Sequence, residues 1–191
     1  MSRVKKKTPS KKIKKAIEYP WVIKLTCIAF IVSLMLSIIS DRVLSKSGMI
    51  VGILILLVFI FLGIIFDMLG VAVTSADAKP FNAMASKKIR GAKVALKLIK
   101  NTDKVSSFCC DVIGDICGVA SGSAGIVIAT SIASYLQTPG MATNVIVTAI
   151  VAALTIGGKA MGKGVAVNNS TNIIFAACKV LSYHEYKKQE K

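Results

Sequence analysis

Four long apolar runs, separated by polar and basic segments, divide the chain. They cover roughly residues 21–40, 49–73, 105–136 and 141–161. An α-helix needs about 20 predominantly apolar residues to cross a bilayer, and each run reaches that length. The pattern therefore predicts an all-α membrane protein with four transmembrane helices. The third run carries the weakest hydropathy signal, because it is rich in Gly, Ala and Ser.

The basic residues between these runs predict how the chain lies in the membrane. Of the 25 Lys and Arg residues, eight lie in residues 1–20, eight in 74–104 and six in 159–191. Cytoplasmic loops carry an excess of Lys and Arg, and an even number of spans puts both termini on one side. We therefore expect a multi-pass plasma-membrane protein with both termini cytoplasmic, and only Arg42 and Lys46 in the outer loops. The first span is expected to stay uncleaved, because no small-x-small site follows its long apolar run.

Composition supports the membrane class and excludes several others. The chain is 54% hydrophobic with a mean hydropathy of +0.67, and its net charge of +16 is confined to the basic blocks. Nucleic acid is not an expected partner, because the basic tail has no aromatic interleaving and no recognition fold. We do not expect an enzyme, since no nucleophile–base set or phosphate loop is found and His184 is the only histidine. The five cysteines form no CxxC and are predicted to pack as small apolar residues.

The loop between the second and third spans has an amphipathic pattern. Cations recur at spacings of three and four, and they are Arg90, Lys93, Lys97, Lys100 and Lys104. Ile89, Ala92, Leu96 and Ile99 form a neighbouring apolar stripe. We expect a cytoplasmic amphipathic helix that meets a lipid bilayer with an anionic inner leaflet. The alternative is an ordinary positive-inside loop helix with no partner but lipid.

Three aspartates interrupt the apolar spans. At 1.5 Å per residue, Asp67 lies ~12 Å from the inner end of its span, Asp111 ~9 Å and Asp115 ~15 Å. Because the second and third spans run antiparallel, the three carboxylates can share one slab of the inner half-membrane. Lys159 enters that slab from the fourth span, ~6 Å above Lys163. A carboxylate at such a depth costs roughly 2.5–3.5 kcal/mol, so it needs a partner.

Two interpretations of these carboxylates remain open. They bind a cation or proton on a transport path, since hard divalent cations prefer oxygen ligands. Alternatively, they form structural pairs with Lys159 or cap backbone groups near the inner interface.

The third span also repeats Gly114, Gly118 and Gly122 at every fourth position, with Ser121 beside them. Small residues at this spacing favour close helix packing and leave backbone oxygens accessible.

A longer set of motifs resembles the transmembrane domain of the CorC/cyclin-M family of magnesium transport proteins. Residues 65–75 correspond to the family's F-F-S-x-x-E-T-A-L-x-S span end, and residues 91–98 to its G-x-x-A-x-x-A-L-x-L helix. Residues 101–103 correspond to N-x-D, 113–115 to I-G-N, and 158–163 to G-E-x-x-P-K. Order, spacing and predicted topology agree over residues 49–183. The resemblance implies a homodimer whose sites lie near the interior of the helix bundle.

The departures from the family pattern fall at its magnesium site. In the family, small polar residues of the first core span, an Asn of the second and a Glu of the last contribute to a dehydrated magnesium site. By position, the Ser becomes Asp67, the Asn becomes Asp115 and the last Glu becomes Lys159, while Gly114 is kept. The Glu of the first motif becomes Gly70, the Pro of the last motif becomes Gly162, and Lys163 keeps the terminal Lys. Neutral oxygens have thus become carboxylates, and one carboxylate has become a cation.

The domain organisation expected from this resemblance has four parts. They are a basic cytoplasmic tail (1–20), an extra N-terminal span with its outer loop (21–48), the family-like transmembrane domain (49–183) and a cytoplasmic tail (184–191). The CBS-domain pair that family members usually carry has no counterpart in this sequence. Any regulation that such a pair provides is therefore expected to be absent or to come from another chain.

The leading functional expectation is binding or transport of a divalent cation, with Mg²⁺ as the ion that the resemblance implies. The expected metal ligands are Asp67, Asp111 and Asp115, supported by Gly114, Ser75 and Ser121. Lys159 is expected to serve as a counter-ion or gate. The rival expectation is a non-transporting structural or regulatory membrane protein in which Asp–Lys159 pairing replaces the ion. A holin-like pore former is a third, weaker option, which the family-like core spans disfavour.

Overall fold

The fold is entirely helical over the residues that the structure describes. The computed structural model describes residues 19–46, 48–89 and 91–189. Its α-helices are α1 (Tyr19–Lys46), α2 (Met49–Ser75), α3 (Ala78–Ser86), α4 (Ala92–Lys100), α5 (Thr102–Ser106), α6 (Asp115–Leu136), α7 (Gly140–Asn168) and α8 (Ser170–Gln189). A π-helix over Ser107–Gly114, here called the π-segment, joins α5 to α6. The basic tail predicted for residues 1–20 lies mostly outside the described residues.

Four of these helical stretches are long and apolar enough to cross a membrane. They are Pro20–Ile38, Met49–Ser75, Thr102–Leu136 and Gly140–Asn168. The third combines α5, the π-segment and α6 in one uninterrupted stretch. The all-α class is therefore confirmed over the described residues, and each predicted span corresponds to a helical stretch that is long and apolar enough to cross a membrane.

The core of the bundle is formed by α2, α6 and α7, which pack against one another. Side chains from all three helices make a middle cluster, which contains Leu56, Ile60, Ala124, Ile128 and Val151. A Cβ at Gly125 would lie 3.3 Å from Val151 Cγ2, so the glycine lets α6 and α7 approach closely. The first span is peripheral: α1 packs on α6 and the π-segment, and no residue of its apolar stretch is buried.

A second cluster closes the end of the bundle at which α2 ends. This end cluster contains Ala72, Val73, Phe81, Ala95, Ala166, Ile174 and Cys178. Phe81 is fully buried and anchors α3, while Ile174 and Cys178 bring in α8. Short helices and spans are thus held together by apolar burial, which contributes roughly 25 cal/mol per Å² of apolar surface removed from water.

The loop between the second and third spans differs from its prediction. The sequence pattern predicts one amphipathic helix across this loop, but the structure has two helices that are separated by a turn. Lys88 (φ 55°) and Gly91 (φ 85°) both adopt left-handed backbone, which a continuing α-helix does not allow. Ala92 and Ala95 of α4 are buried against the protein, and Leu96 and Ile99 pack on the end cluster. Of the apolar stripe that was expected to lie on lipid, Ala92, Leu96 and Ile99 therefore pack against the protein itself, while Ile89 is exposed.

Candidate functional site: two aspartate–lysine pairs in the bundle

Two lysines one helical turn apart on α7 define the candidate site. Lys159 and Lys163 are four residues apart, so both lie on one face of the helix. Gly162 allows that face to approach α2, because a Cβ there would lie 2.8 Å from Met68 Cγ. Gly158 does the same, since a Cβ there would collide with Ile64 Cδ1. The two ammonium groups are therefore carried to the junction of α7 with α2 and with α6.

Asp67 is the buried member of the first pair. Its exposed fraction is 4%, and its Oδ2 lies 3.6 Å from Lys163 Nζ. The same Oδ2 is inaccessible and has no hydrogen-bond partner among the described residues. The Lys163 side chain is 54% exposed, so its ammonium reaches the carboxylate from the outside of the bundle. A buried carboxylate with one free oxygen is costly, and only a nearby positive charge offsets that cost.

The second pair joins Lys159 to α6. Its Nζ donates a hydrogen bond to Gly114 O at 3.2 Å and lies 3.6 Å from Asp115 Oδ1. The Lys159 side chain is 19% exposed, whereas that of Asp115 is 72% exposed. An ion pair in which one partner is largely exposed contributes about 0–1 kcal/mol in water. The hydrogen bond to the carbonyl of Gly114, which is buried, is therefore the better shielded of the two contacts. The predicted partnership of Lys159 with Asp115 is present in the structure.

The π-segment brings α5 and α6 against α2 at this level. Gly70 lies against it, and a Cβ there would collide with Cys110 Sγ and lie 3.3 Å from Ser106 O. The Cys110 thiol donates to the backbone carbonyl of Asp67 at 3.5 Å. A π-helix carries one extra residue per turn and occurs often at functional sites. Here it coincides with the predicted ligands Asp111 and Gly114.

The remaining predicted ligands lie apart from the two pairs. Asp111 is exposed and belongs to neither pair, and Ser75 is exposed at the end of α2. Ser121 is buried, but its Oγ donates to Gly118 O of its own helix at 2.9 Å. Within the described part of the chain, no three His, Cys, Asp or Glu side chains are grouped so that they can hold a metal ion. Asp67 and Asp115 thus pair with different lysines, and Asp111 joins neither pair.

Only one glycine of the repeat in the third span packs closely against other parts of the described structure. A Cβ at Gly114 would lie 3.4 Å from Cys109 O and 3.6 Å from Lys159 Nζ. Around Gly118 and Gly122, by contrast, a Cβ would meet no atom within 4 Å. Close packing is therefore observed at Gly114 and not at the next two glycines of the repeat.

Sequence reasoning did not identify the partner of Asp67. Lys163 pairs with it, although the comparison of depths considered only Lys159 as the lysine of this slab. The spacing of four between Lys159 and Lys163 is the signal that predicts two lysines on one face. Which carboxylate each lysine meets depends on how α7 packs on α2 and α6, and this register is not encoded in one helix alone.

Comparison with protein-family models, with curated proteins and with solved structures found no match. Over residues 19–46, 48–89 and 91–189, the chain is all-helical and has four helices that are long and apolar enough to cross a membrane.

Proposed function

We propose that this chain is a multi-pass membrane protein that binds or transports a divalent cation, with Lys159 and Lys163 as internal counter-ions that the cation displaces. One observation carries the proposal: the buried carboxylate of Asp67 has an oxygen without a hydrogen bond, 3.6 Å from an ammonium group. A hard cation such as Mg²⁺ is attracted by the same oxygen. The motif resemblance to the CorC/cyclin-M transmembrane domain supports the same class of substrate.

The positions of the basic residues support the rest of the proposal. The excess of Lys and Arg in both terminal segments and in the α3–α4 loop supports a cytoplasmic location of these segments in a plasma-membrane protein. The α3 and α4 helices would then form the cytoplasmic cap of the bundle. A homodimer is proposed on the resemblance alone.

The experiment is magnesium flux into liposomes that hold the purified full chain and a trapped magnesium-sensitive dye. We expect flux down an imposed gradient, and its loss in Asp67→Asn. Asp77→Asn is the matched control, since Asp77 lies outside the spans and its side chain only accepts from Lys79 N at 3.0 Å. Absence of flux from folded wild-type protein, or equal flux in Asp67→Asn, would contradict transport through this site.

A second candidate function is a non-transporting structural or regulatory membrane protein. The contacts of Lys159 favour it, because its ammonium group already donates a hydrogen bond to the Gly114 carbonyl and forms an ion pair with Asp115. In that case the reversed pair Asp115→Lys with Lys159→Asp should melt within a few degrees of wild type, while each single change lowers the melting temperature. If both single variants melt like wild type, the pair does not hold the spans together.

A further inference from the structure

A cavity lies at the turn between α3 and α4. It has a volume of about 280 Å³. Its lining residues are Ala85, Lys88, Ile89, Gly91 and Lys93, and we call it the α3–α4 cavity. None of them belongs to the proposed cation site, so the cavity has no role in the function proposed above.

The turn itself opens this cavity. Left-handed backbone at Lys88 (φ 55°) and Gly91 (φ 85°) reverses the chain between the two helices. A side chain at Gly91 is disfavoured on two grounds, its positive φ and the carbonyl carbon of Cys178, which would lie 3.3 Å from a Cβ. Gly91 therefore packs against the backbone of α8, while Lys88 and Lys93 line the cavity.

The segment that forms the cavity is basic. Residues 78–102 contain seven Lys and Arg residues and no Asp or Glu. Lys88 and Lys93 are both exposed, and no described carboxylate lies within the ion-pair distance of 4.0 Å from either ammonium. Asp77, the nearest acidic residue before this segment, caps the start of α3 at Lys79 N. The cavity is thus lined by two basic residues and no acidic one, so its charge favours an anion.

The size and place of the cavity define the kind of anion. At about 280 Å³ the cavity is near the lower limit of the roughly 300–1,000 Å³ of small-molecule pockets, so it has room for a phosphate group and part of the molecule that carries it. Lysine binds phosphate as a point charge without demanding one geometry. In sequence, its lining residues lie between the candidate spans Met49–Ser75 and Thr102–Leu136, and basic pockets beside membrane spans are known to bind phospholipid head groups.

We propose that the α3–α4 cavity binds a phosphate-bearing group between Lys88 and Lys93. The phosphate of an anionic lipid and a free phosphate ion offer the same chemistry to the two ammonium groups. The test therefore uses phosphatidic acid as the lipid probe and inorganic phosphate as the soluble probe.

The measurement is native mass spectrometry of the full chain in detergent, titrated with phosphatidic acid and, separately, with phosphatidylcholine. Wild type is expected to bind one phosphatidic acid more tightly than phosphatidylcholine. The double variant Lys88→Gln with Lys93→Gln should weaken that binding by about tenfold or more. Lys97→Gln with Lys100→Gln is the matched control, because it removes the same charge from the exposed side of α4 without touching the cavity.

Retention of tight binding in the control and its loss in the cavity variant support the site. Equal losses in both double variants would show diffuse surface charge and overturn it, as would wild-type protein that binds neither probe. Displacement of the lipid by millimolar inorganic phosphate identifies the phosphate group alone as the ligand. Lipid binding that phosphate does not displace identifies the lipid head group as its source, and both of these results support the cavity. Melting temperatures of the two variants verify that each is folded.

Discussion

At the scale of single residues, glycines determine how closely the spans meet around the aspartate–lysine pairs. Gly70 and Gly162 give α2 its contacts with the π-segment and with α7, and both are buried. Gly118, by contrast, has open space where its Cβ would stand. An added methyl group is therefore expected to lower stability at Gly70 and to have little effect at Gly118.

Gly70→Ala is expected to lower stability by about 1–3 kcal/mol, because overpacking forces neighbouring groups to move. The added Cβ collides with Cys110 Sγ and crowds Ser106 O, which belongs to the backbone and cannot yield easily. Thermal melting in detergent measures the change, and Gly118→Ala serves as the control with little or no loss. Adding Cys110→Ala to Gly70→Ala should recover part of the stability. A melting temperature for Gly70→Ala equal to that of the control would contradict this packing.

Cys178 gives a second test at the residue scale, outside the candidate spans. Burial raises the pKa of its thiol from 9.0 to about 11. Since only the thiolate is alkylated, roughly one molecule in a thousand is reactive at pH 8, and iodoacetamide should label Cys178 slowly until the protein unfolds. The folded state keeps the proton longer than the unfolded state, so this group favours folding below pH 9, and its contribution is lost between pH 9 and 11. Mass spectrometry of the α8 peptide measures the labelling, and fast labelling of folded protein at pH 8 would show that Cys178 is accessible.

At the scale of helices, the spans were predictable and their local irregularities were not. In lipid, an apolar run of about 20 residues can satisfy its backbone hydrogen bonds by forming a helix. Hydropathy alone therefore located the four long apolar helices. The break between α3 and α4 depends on left-handed backbone at Lys88, a residue type that does not signal such a conformation. The π-segment likewise depends on contacts with Gly70 of another helix, which a one-dimensional pattern does not contain.

The peripheral position of α1 predicts that the rest of the bundle folds without it. A shortened chain that begins at Met49 should melt within about 4 °C of the full chain, because α1 adds no buried residue in its apolar stretch. A chain that ends at Asn169 is the contrasting variant, since it removes Ile174 and Cys178 from the end cluster. That variant is expected to lose cooperative melting. Loss of folding in the chain that begins at Met49 would show that α1 belongs to the core.

At the scale of the whole molecule, the buried carboxylate lies between two apolar clusters. Along α2, Leu56 and Ile60 belong to the middle cluster and Ala72 and Val73 to the end cluster, with Asp67 between them. Asp67 is buried, and the ammonium of Lys163 at 3.6 Å is the positive charge that the described residues bring to its carboxylate. The sequence predicted the carboxylates and one of the lysines at this level. The division into two pairs came only from the packing of three helices.

A magnesium titration of thermal stability in detergent tests competition between ion and lysine most directly. The variants are wild type, Lys163→Gln and Asp67→Asn, with Lys179→Gln as a control, since Lys179 is exposed on α8 away from both pairs. We expect magnesium to stabilise Lys163→Gln at a concentration about tenfold lower than wild type, because the competing ammonium is gone. Lys179→Gln should behave as wild type, and Asp67→Asn should lose the response. Equal responses in all four proteins, or no response in any, would contradict a cation site at Asp67.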